Sequence, residues 1–241
     1  MIIDDYFIYF LIYSFIGWFW EVMLILIREH KFVNRGFLNG PYCPIYGAGA
    51  LLFLGMSHYI TNPVLCFFIG GLLACTLEYI TSFVMEKLFH ARWWDYSKRK
   101  FNINGRVCLI GYVVFGAGAV GIHYLHPLIV SLINRVPYLE IWAAAASILF
   151  IVDVIVTNQS FIRFDKILRE YQNILKKGRI INFISTKSRR FVATIQKQQH
   201  KLFTYQQRRL MRAFPNFKSH YDKAYAEVKK LYTNTFTRKK H

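Results

Sequence analysis

Five stretches of this chain are apolar for about the length a helix needs to cross a bilayer, and no other feature restricts its fold as strongly. They cover residues 6–27, 44–61, 63–85, 107–125 and 138–157. The hydrocarbon core has no partner for an unpaired amide, so a segment inside it must satisfy its own backbone, as a helix does. The sequence therefore predicts an all-α, polytopic transmembrane bundle of about five spans. The second run is the shortest and carries Gly47, Gly49 and Gly55. The third has Gly70 and Gly71, and the fourth has Gly111, Gly116, Gly118 and Gly121. Small residues of this kind let helices approach closely. The first run reads as a retained span rather than a cleaved signal. Its start, Met1-Ile2-Ile3-Asp4-Asp5, is acidic, the run is too long for a signal core, and no small-x-small site follows it.

Charge divides the chain in two. Residues 1–157 hold 10 Lys/Arg and 9 Asp/Glu, whereas residues 158–241 hold 21 Lys/Arg against 4 Asp/Glu. A near-neutral membrane domain, 1–157, followed by a basic tail, 158–241, is the expected organisation. Arg28, Lys31 and Arg35 lie between the first and second runs, and Lys87, Arg92, Lys98, Arg99, Lys100 and Arg106 between the third and fourth. The two alternate connections are poor in positive charge, with none in Thr61-Asn62 and only Arg135 between His126 and Pro137. Positive loops stay cytoplasmic, so the N-terminus is expected outside and the C-terminus inside. The basic tail then falls on the side that alternation requires. Cys43, Cys66, Cys75 and Cys108 form no C-x-x-C pair and read as free thiols.

Three acids lie in the interior of the apolar runs: Glu21 in the first, Glu78 in the third and Asp153 in the fifth. Each lies on the cytoplasmic side of its span's midpoint, about 7–8 Å from the bilayer centre at the helical rise. An acid in hydrocarbon is costly unless it is protonated, paired or facing water. One reading is hydrogen-bonded glue between helices, with Thr81 and Ser82 near Glu78 and Thr157 four residues after Asp153. The other is a polar cavity, open to the cytoplasm, for a substrate or ion.

Both inner loops are unusual. The first, Asn34 to Gly47, includes Arg35, Asn39, the turn signal Gly40-Pro41, and Pro44 at the expected start of the second helix. That helix start could hold an anion, with Arg35 beside it. The second includes Trp93, Trp94, Asp95 and Tyr96, then Asn102, Asn104, Gly105 and Arg106. Its aromatics suit an interfacial belt, and Asn104-Gly105 suits a turn before the fourth run. Arg35 and Arg106 are candidate counter-ions for Glu21, Glu78 or Asp95, or ligands for a headgroup phosphate. His58, His123 and His126 fall toward the outer face without a third ligand for the His123/His126 pair, so no metal is expected. No P-loop, H-E-x-x-H motif or Ser/His/Asp order is present, and no cofactor is expected.

In the tail, Phe161, Phe164, Ile167, Leu168, Tyr171, Ile174 and Leu175 recur at helical spacing. Helices are also expected over 180–214 and 217–236, with Gly178 and Pro215 as breaks. A basic amphipathic segment tethered to a membrane is expected against the bilayer and its anionic phospholipid headgroups, at about 1 kcal/mol per near-surface charge. Nucleic acid would answer to the same charges, but tethering favours lipid or an acidic partner protein.

The ordered set Gly17-Trp18 with Glu21, Asn34-Arg35-Gly36-Phe37 with Gly40-Pro41, Glu78-Tyr79 with Glu86, and Trp93-Trp94-Asp95-Tyr96 with Asn104-Gly105-Arg106 resembles the bacterial family called putative ABC-transporter type IV. The resemblance covers residues 5–155 and leaves the tail outside. It implies a permease-like transport component of the bacterial plasma membrane. ATP drive would need a separate ATPase subunit, and so few spans favour a homo-oligomer or larger complex. The alternatives are a membrane-embedded enzyme acting on a lipid or lipid-linked substrate at the inner leaflet, and a non-catalytic scaffold. The candidate site residues are Glu21, Glu78, Asp153, Arg35, Asn39, Trp94, Asp95, Asn104 and Arg106.

Overall fold

A computed structural model describes residues 2–57, 59–89, 91–180, 209, 218 and 219. Its helices are α1 (Ile2–Glu29), α2 (Pro44–Ser57), α3 (Pro63–Phe89), α4 (Leu109–Ile133) and α5 (Leu139–Ile180). Four two-residue strands accompany them: β1 (Ala91–Arg92), β2 (Asn102–Ile103), β3 (Val107–Cys108) and β4 (Lys218–Ser219). Among the described residues, four helices are long and apolar enough to cross a membrane, over Ile3–Glu29, Pro63–Phe89, Leu109–Ile133 and Leu139–Glu170. Their large side chains stay exposed along the bundle, among them Phe15, Phe19, Phe68, Leu72 and Ile148. An apolar exterior of this extent suits lipid as the surrounding solvent.

The second expected span differs most from the sequence reading. Instead of 44–61, α2 ends at Ser57 and has only 14 residues, about 21 Å at the helical rise against a hydrocarbon core of about 30 Å. Turn hydrogen bonds from Tyr59 N–H to Met56 O and from Ile60 N–H to Ser57 O close it early. The missing length is supplied by the preceding loop. Trp18 Nε1 donates to Asn34 Oδ1, and Cys43 N–H donates to Ser14 O at 2.9 Å. Residues 30–43 therefore return along the second half of α1, and α2 continues along its first half. Gly47 packs on Phe10 and Ser14, and Ala50 joins Tyr9, Tyr13 and Ile133 in a buried cluster. Irregular backbone at this depth is tolerable where its polar groups find partners, as Cys43 N–H does on α1 and Asn39 N–H and Gly40 N–H do on α5.

The third, fourth and fifth helices end later than expected. The expected span 107–125 becomes 109–133, with Pro127 inside the helix rather than in a loop. A proline is tolerated in a buried apolar helix where neighbours satisfy the freed groups. The fifth helix runs without a break from 139 to 180, through Gly178 and across the boundary expected at 157/158. α3 and α4 lie antiparallel, Gly70 abutting Ala119 and Gly71 abutting Tyr112. Phe53, Ile60, Cys66 and Ala119 form a second buried cluster between α2, α3 and α4.

This arrangement gathers the end of α1, the loop 30–43, the end of α3, the segment 91–108 and the later part of α5 at one end of the bundle. An aromatic cap joins them. Phe161 of α5 sits 4.7 Å from Phe89, 5.0 Å from Trp93 and 6.2 Å from Phe37, ring centre to ring centre.

Candidate functional site

Glu21, Glu78 and Asp153 are each held by a tyrosine hydroxyl from a loop or a helix start. Tyr46, in the first turn of α2, donates to Glu21 Oε1 at 2.7 Å, and Arg35 lies 3.7 Å from Glu21 Oε2. Tyr42 donates to Asp153 Oδ2 at 2.6 Å. Tyr96, from the loop before β2, donates to Glu78 Oε1 at 3.2 Å. Burial holds the Tyr96 phenol well above its ordinary pKa, and the neighbouring acids Glu78 and Glu21 push it the same way whenever they are ionised. It therefore stays a protonated donor throughout the physiological range.

Asp153 stands apart from that pair. Its carboxylate accepts from Asn39 N–H at 3.1 Å, Asn39 Nδ2 at 2.9 Å, Gly40 N–H at 2.8 Å and Thr157 Oγ1 at 3.1 Å, as well as from Tyr42. It pins the returning loop to α5. Asn34 shapes the loop further back, its Oδ1 accepting from Trp18 and from Gly36 N–H, while its Nδ2 donates to Asn39 O.

The second loop is a folded unit. β2 and β3 pair through Ile103 and Val107, joined by a tight turn in which Asn104 (φ 52°) and Gly105 (φ 68°) are both left-handed and Arg106 N–H reaches Ile103 O. Two positive φ angles in a hairpin turn are what an Asn-Gly pair provides. Gly105→Ala is expected to lower stability by about 1–2 kcal/mol. The added methyl would need a left-handed backbone and would meet Asp95 Oδ1 at 2.7 Å. An unchanged melting temperature would contradict this geometry.

Arg106 is buried, but its partner is neither Glu21, Glu78 nor Asp95. It pairs with Glu86, donates to Ser82 Oγ at 3.0 Å, and lies over the rings of Tyr79 and Phe83. Arg92 joins the same Glu86 carboxylate at 2.9 Å. Trp94 Nε1 donates to Arg106 O at 2.9 Å, and Asn104 Nδ2 donates to Tyr79 Oη at 2.9 Å. Asp95 accepts from the Ser97 backbone and hydroxyl, closing a local turn. Trp93, expected in an interfacial belt, is instead buried against Phe37 and Phe161.

The described part of the tail also reaches this end. Phe161, Phe164 and Leu168 are buried within the protein, so the apolar face expected against lipid packs inward at these positions. Arg209 is buried and donates to Gly36 O at 2.6 Å and Phe37 O at 2.7 Å. β4 pairs antiparallel with β1. The helices expected over 180–214 and 217–236 lie outside the described residues but for these few positions. Among the histidines, His126 Nδ1 is 3.1 Å from Tyr13 Oη, and its ring packs on Tyr9. His58 lies outside the described residues.

The structure thus brings together Glu21, Arg35 and Tyr46, places Glu78 with Tyr96, and joins Asn39 to Asp153. It assigns Arg106, Trp94 and Asn104 to the second loop's own scaffold. Tyr42, Tyr46 and Tyr96 were not singled out from the sequence as partners of the acids. Their signal was available: tyrosine is the aromatic that carries a hydroxyl donor into an apolar setting.

A family model described as putative ABC-transporter type IV matches residues 8–158. That range contains the three acids, their tyrosines and both loops, and it ends within α5. Neither a curated protein nor a solved structure matches the chain. The apolar helices and the family match together mark a transport-related membrane protein. The chain belongs to the family described as putative ABC-transporter type IV.

Proposed function

We propose that this chain is a permease-like component of a membrane transport system, with a polar site on Glu21 and Glu78 that opens toward the cytoplasm. The observation that carries the reading is the pair of acids set inside apolar helices beneath the loop-bearing end, each touched by one tyrosine hydroxyl. Intramembrane acids of this kind mark solute or ion pathways. A loop that returns halfway into the bundle and continues as a short helix is also a construction found around transport sites. The loop-bearing end faces the cytoplasm by the positive-inside rule, as Arg28, Lys31, Lys98, Arg99 and Lys100 all lie there. Asp153 and Asn39 anchor the returning loop to α5, and Arg35 balances Glu21. The membrane is the bacterial plasma membrane, and ATP drive comes from a separate ATPase subunit.

The lipid-enzyme reading loses support at Arg106. The guanidinium that would grip a headgroup phosphate already has Glu86 and Ser82 as partners.

The test is isolation of the chain from its native membrane in mild detergent, followed by reconstitution. The expected result is an ATP-hydrolysing subunit at fixed stoichiometry and ATP-dependent solute movement in vesicles. Glu21→Gln should reduce that movement at least about tenfold without loss of assembly, the scale of one lost charged contact. Isolation of the chain alone, with a bound phospholipid that it converts chemically, would overturn the reading in favour of an enzyme.

A further inference from the structure

Glu78 differs from the other two acids in what surrounds it. Its side chain is 6% exposed. Only Oε1 has a donor, the Tyr96 hydroxyl at 3.2 Å. Oε2 is buried and, among the described residues, has no hydrogen-bond partner. Gly111 of α4 stands beside it, where an added methyl carbon would lie 3.9 Å from Oε2. Nor does any described basic group lie within ion-pair distance. Arg35 is paired with Glu21, and Arg92 and Arg106 with Glu86 one helical stretch further on. The titratable groups around Glu78 are Tyr96 of the second loop, Glu21 of α1, Cys75 on its own helix and Cys108 of β3. None of them brings positive charge.

An ionised carboxylate so placed would have one long neutral hydrogen bond and a second acid nearby, at a desolvation cost of several kcal/mol. Protonation removes that cost. We propose that Glu78 is a proton-binding site of the bundle, neutral in the resting protein and able to release its proton toward the loop-bearing end. On release, the Oε2–H bond breaks, the proton passes to water at that end, and the negative charge left on the carboxylate is stabilised by the Tyr96 hydroxyl. Asp153 is the internal contrast, because five donors surround it and it has no need of a proton. The inference rests on the transport reading only for its consequence, which is that solute movement is linked to a proton at Glu78.

The test uses the full chain in liposomes with dicyclohexylcarbodiimide, which reacts with protonated carboxyls in apolar surroundings. Peptide mass spectrometry is expected to find the adduct on Glu78 at least about tenfold above Asp153 at neutral pH. Labelling should then fall about tenfold per pH unit once Glu78 ionises. An infrared spectrum in the same liposomes covers the case in which the reagent cannot enter. A protonated-carboxyl band is expected in the wild type and is expected to be missing from Glu78→Gln. Absence of that band from the wild type at neutral pH overturns the proposal whatever the labelling shows. Neither measurement requires solute movement. A protonated Glu78 in a chain that moves no solute would therefore sink the transport reading alone.

Discussion

Asp153→Ala is expected to destabilise the protein by about 3 kcal/mol and to free the loop 34–43 from α5. The carboxylate receives Asn39 N–H, Asn39 Nδ2, Gly40 N–H, Tyr42 Oη and Thr157 Oγ1 within 2.6–3.1 Å. Alanine removes the acceptor and strips the exposed Asn39 N–H and the half-buried Gly40 N–H of their carboxylate partner at the depth of the apolar helices. Unpaired donors in such a setting cost more than the lost bond is worth in water. Asp153→Asn keeps one acceptor oxygen and places an amide among donors, so an intermediate loss is expected. Detergent-solubilised protein should show these effects as a lower unfolding midpoint. Proteolysis within 34–43 should become faster in the alanine variant. An alanine variant as stable as the wild type would show that Asp153 does not hold the loop.

A single methyl group at position 47 is expected to be nearly as damaging. Gly47 is where α2 crosses α1, and a Cβ built there collides with Ser14 Oγ, the Phe10 carbonyl oxygen and the Phe10 ring. A hydroxyl can rotate away, but a helical carbonyl oxygen cannot move without the backbone. Gly47→Ala should therefore separate the two helices and break the buried cluster of Tyr9, Tyr13 and Ala50, at about 3 kcal/mol. Gly55 supplies the control on the same helix, since nothing lies within 4 Å of a Cβ placed there. Gly55→Ala should be neutral or slightly stabilising by helix propensity. The yield of monodisperse protein after extraction, with the unfolding midpoint, decides the matter. Equal behaviour of the two variants would contradict this packing.

The helices were legible in the sequence because a spanning segment must be apolar over its whole length, and four long runs met that condition. Where they end was less legible, for two reasons. Pro127 looks like a loop residue, yet it lies inside α4, where the bundle rather than the local sequence decides the matter. The run 44–61 looks like a short span, but its length is shared with a loop whose backbone is satisfied by α1 and α5. The acids were visible as exceptions in apolar runs, and Thr157 beside Asp153 was visible at helical spacing. Their tyrosine partners come from 18 to 111 residues away and follow no spacing rule. Arg106 looked available for any nearby acid, whereas Glu86 and Ser82 on α3 hold it. Phe161, Phe164 and Leu168 formed an apolar stripe that suited lipid equally well, until the aromatic cap around Phe37 and Trp93 gave it a protein surface.

Both motif-bearing loops meet at one end of the bundle, and the proposed topology makes that end cytoplasmic. Single cysteines introduced into a cysteine-free chain at exposed positions, and probed with a membrane-impermeant thiol reagent from each side, test it most directly. Positions 31–32 and 98–100 should react only from the cytoplasmic side, and positions 61–62 and 135–137 only from outside. Reaction of 98–100 from outside, or of 31–32 and 98–100 from opposite sides, would contradict the shared face and with it the site built on Glu21 and Glu78.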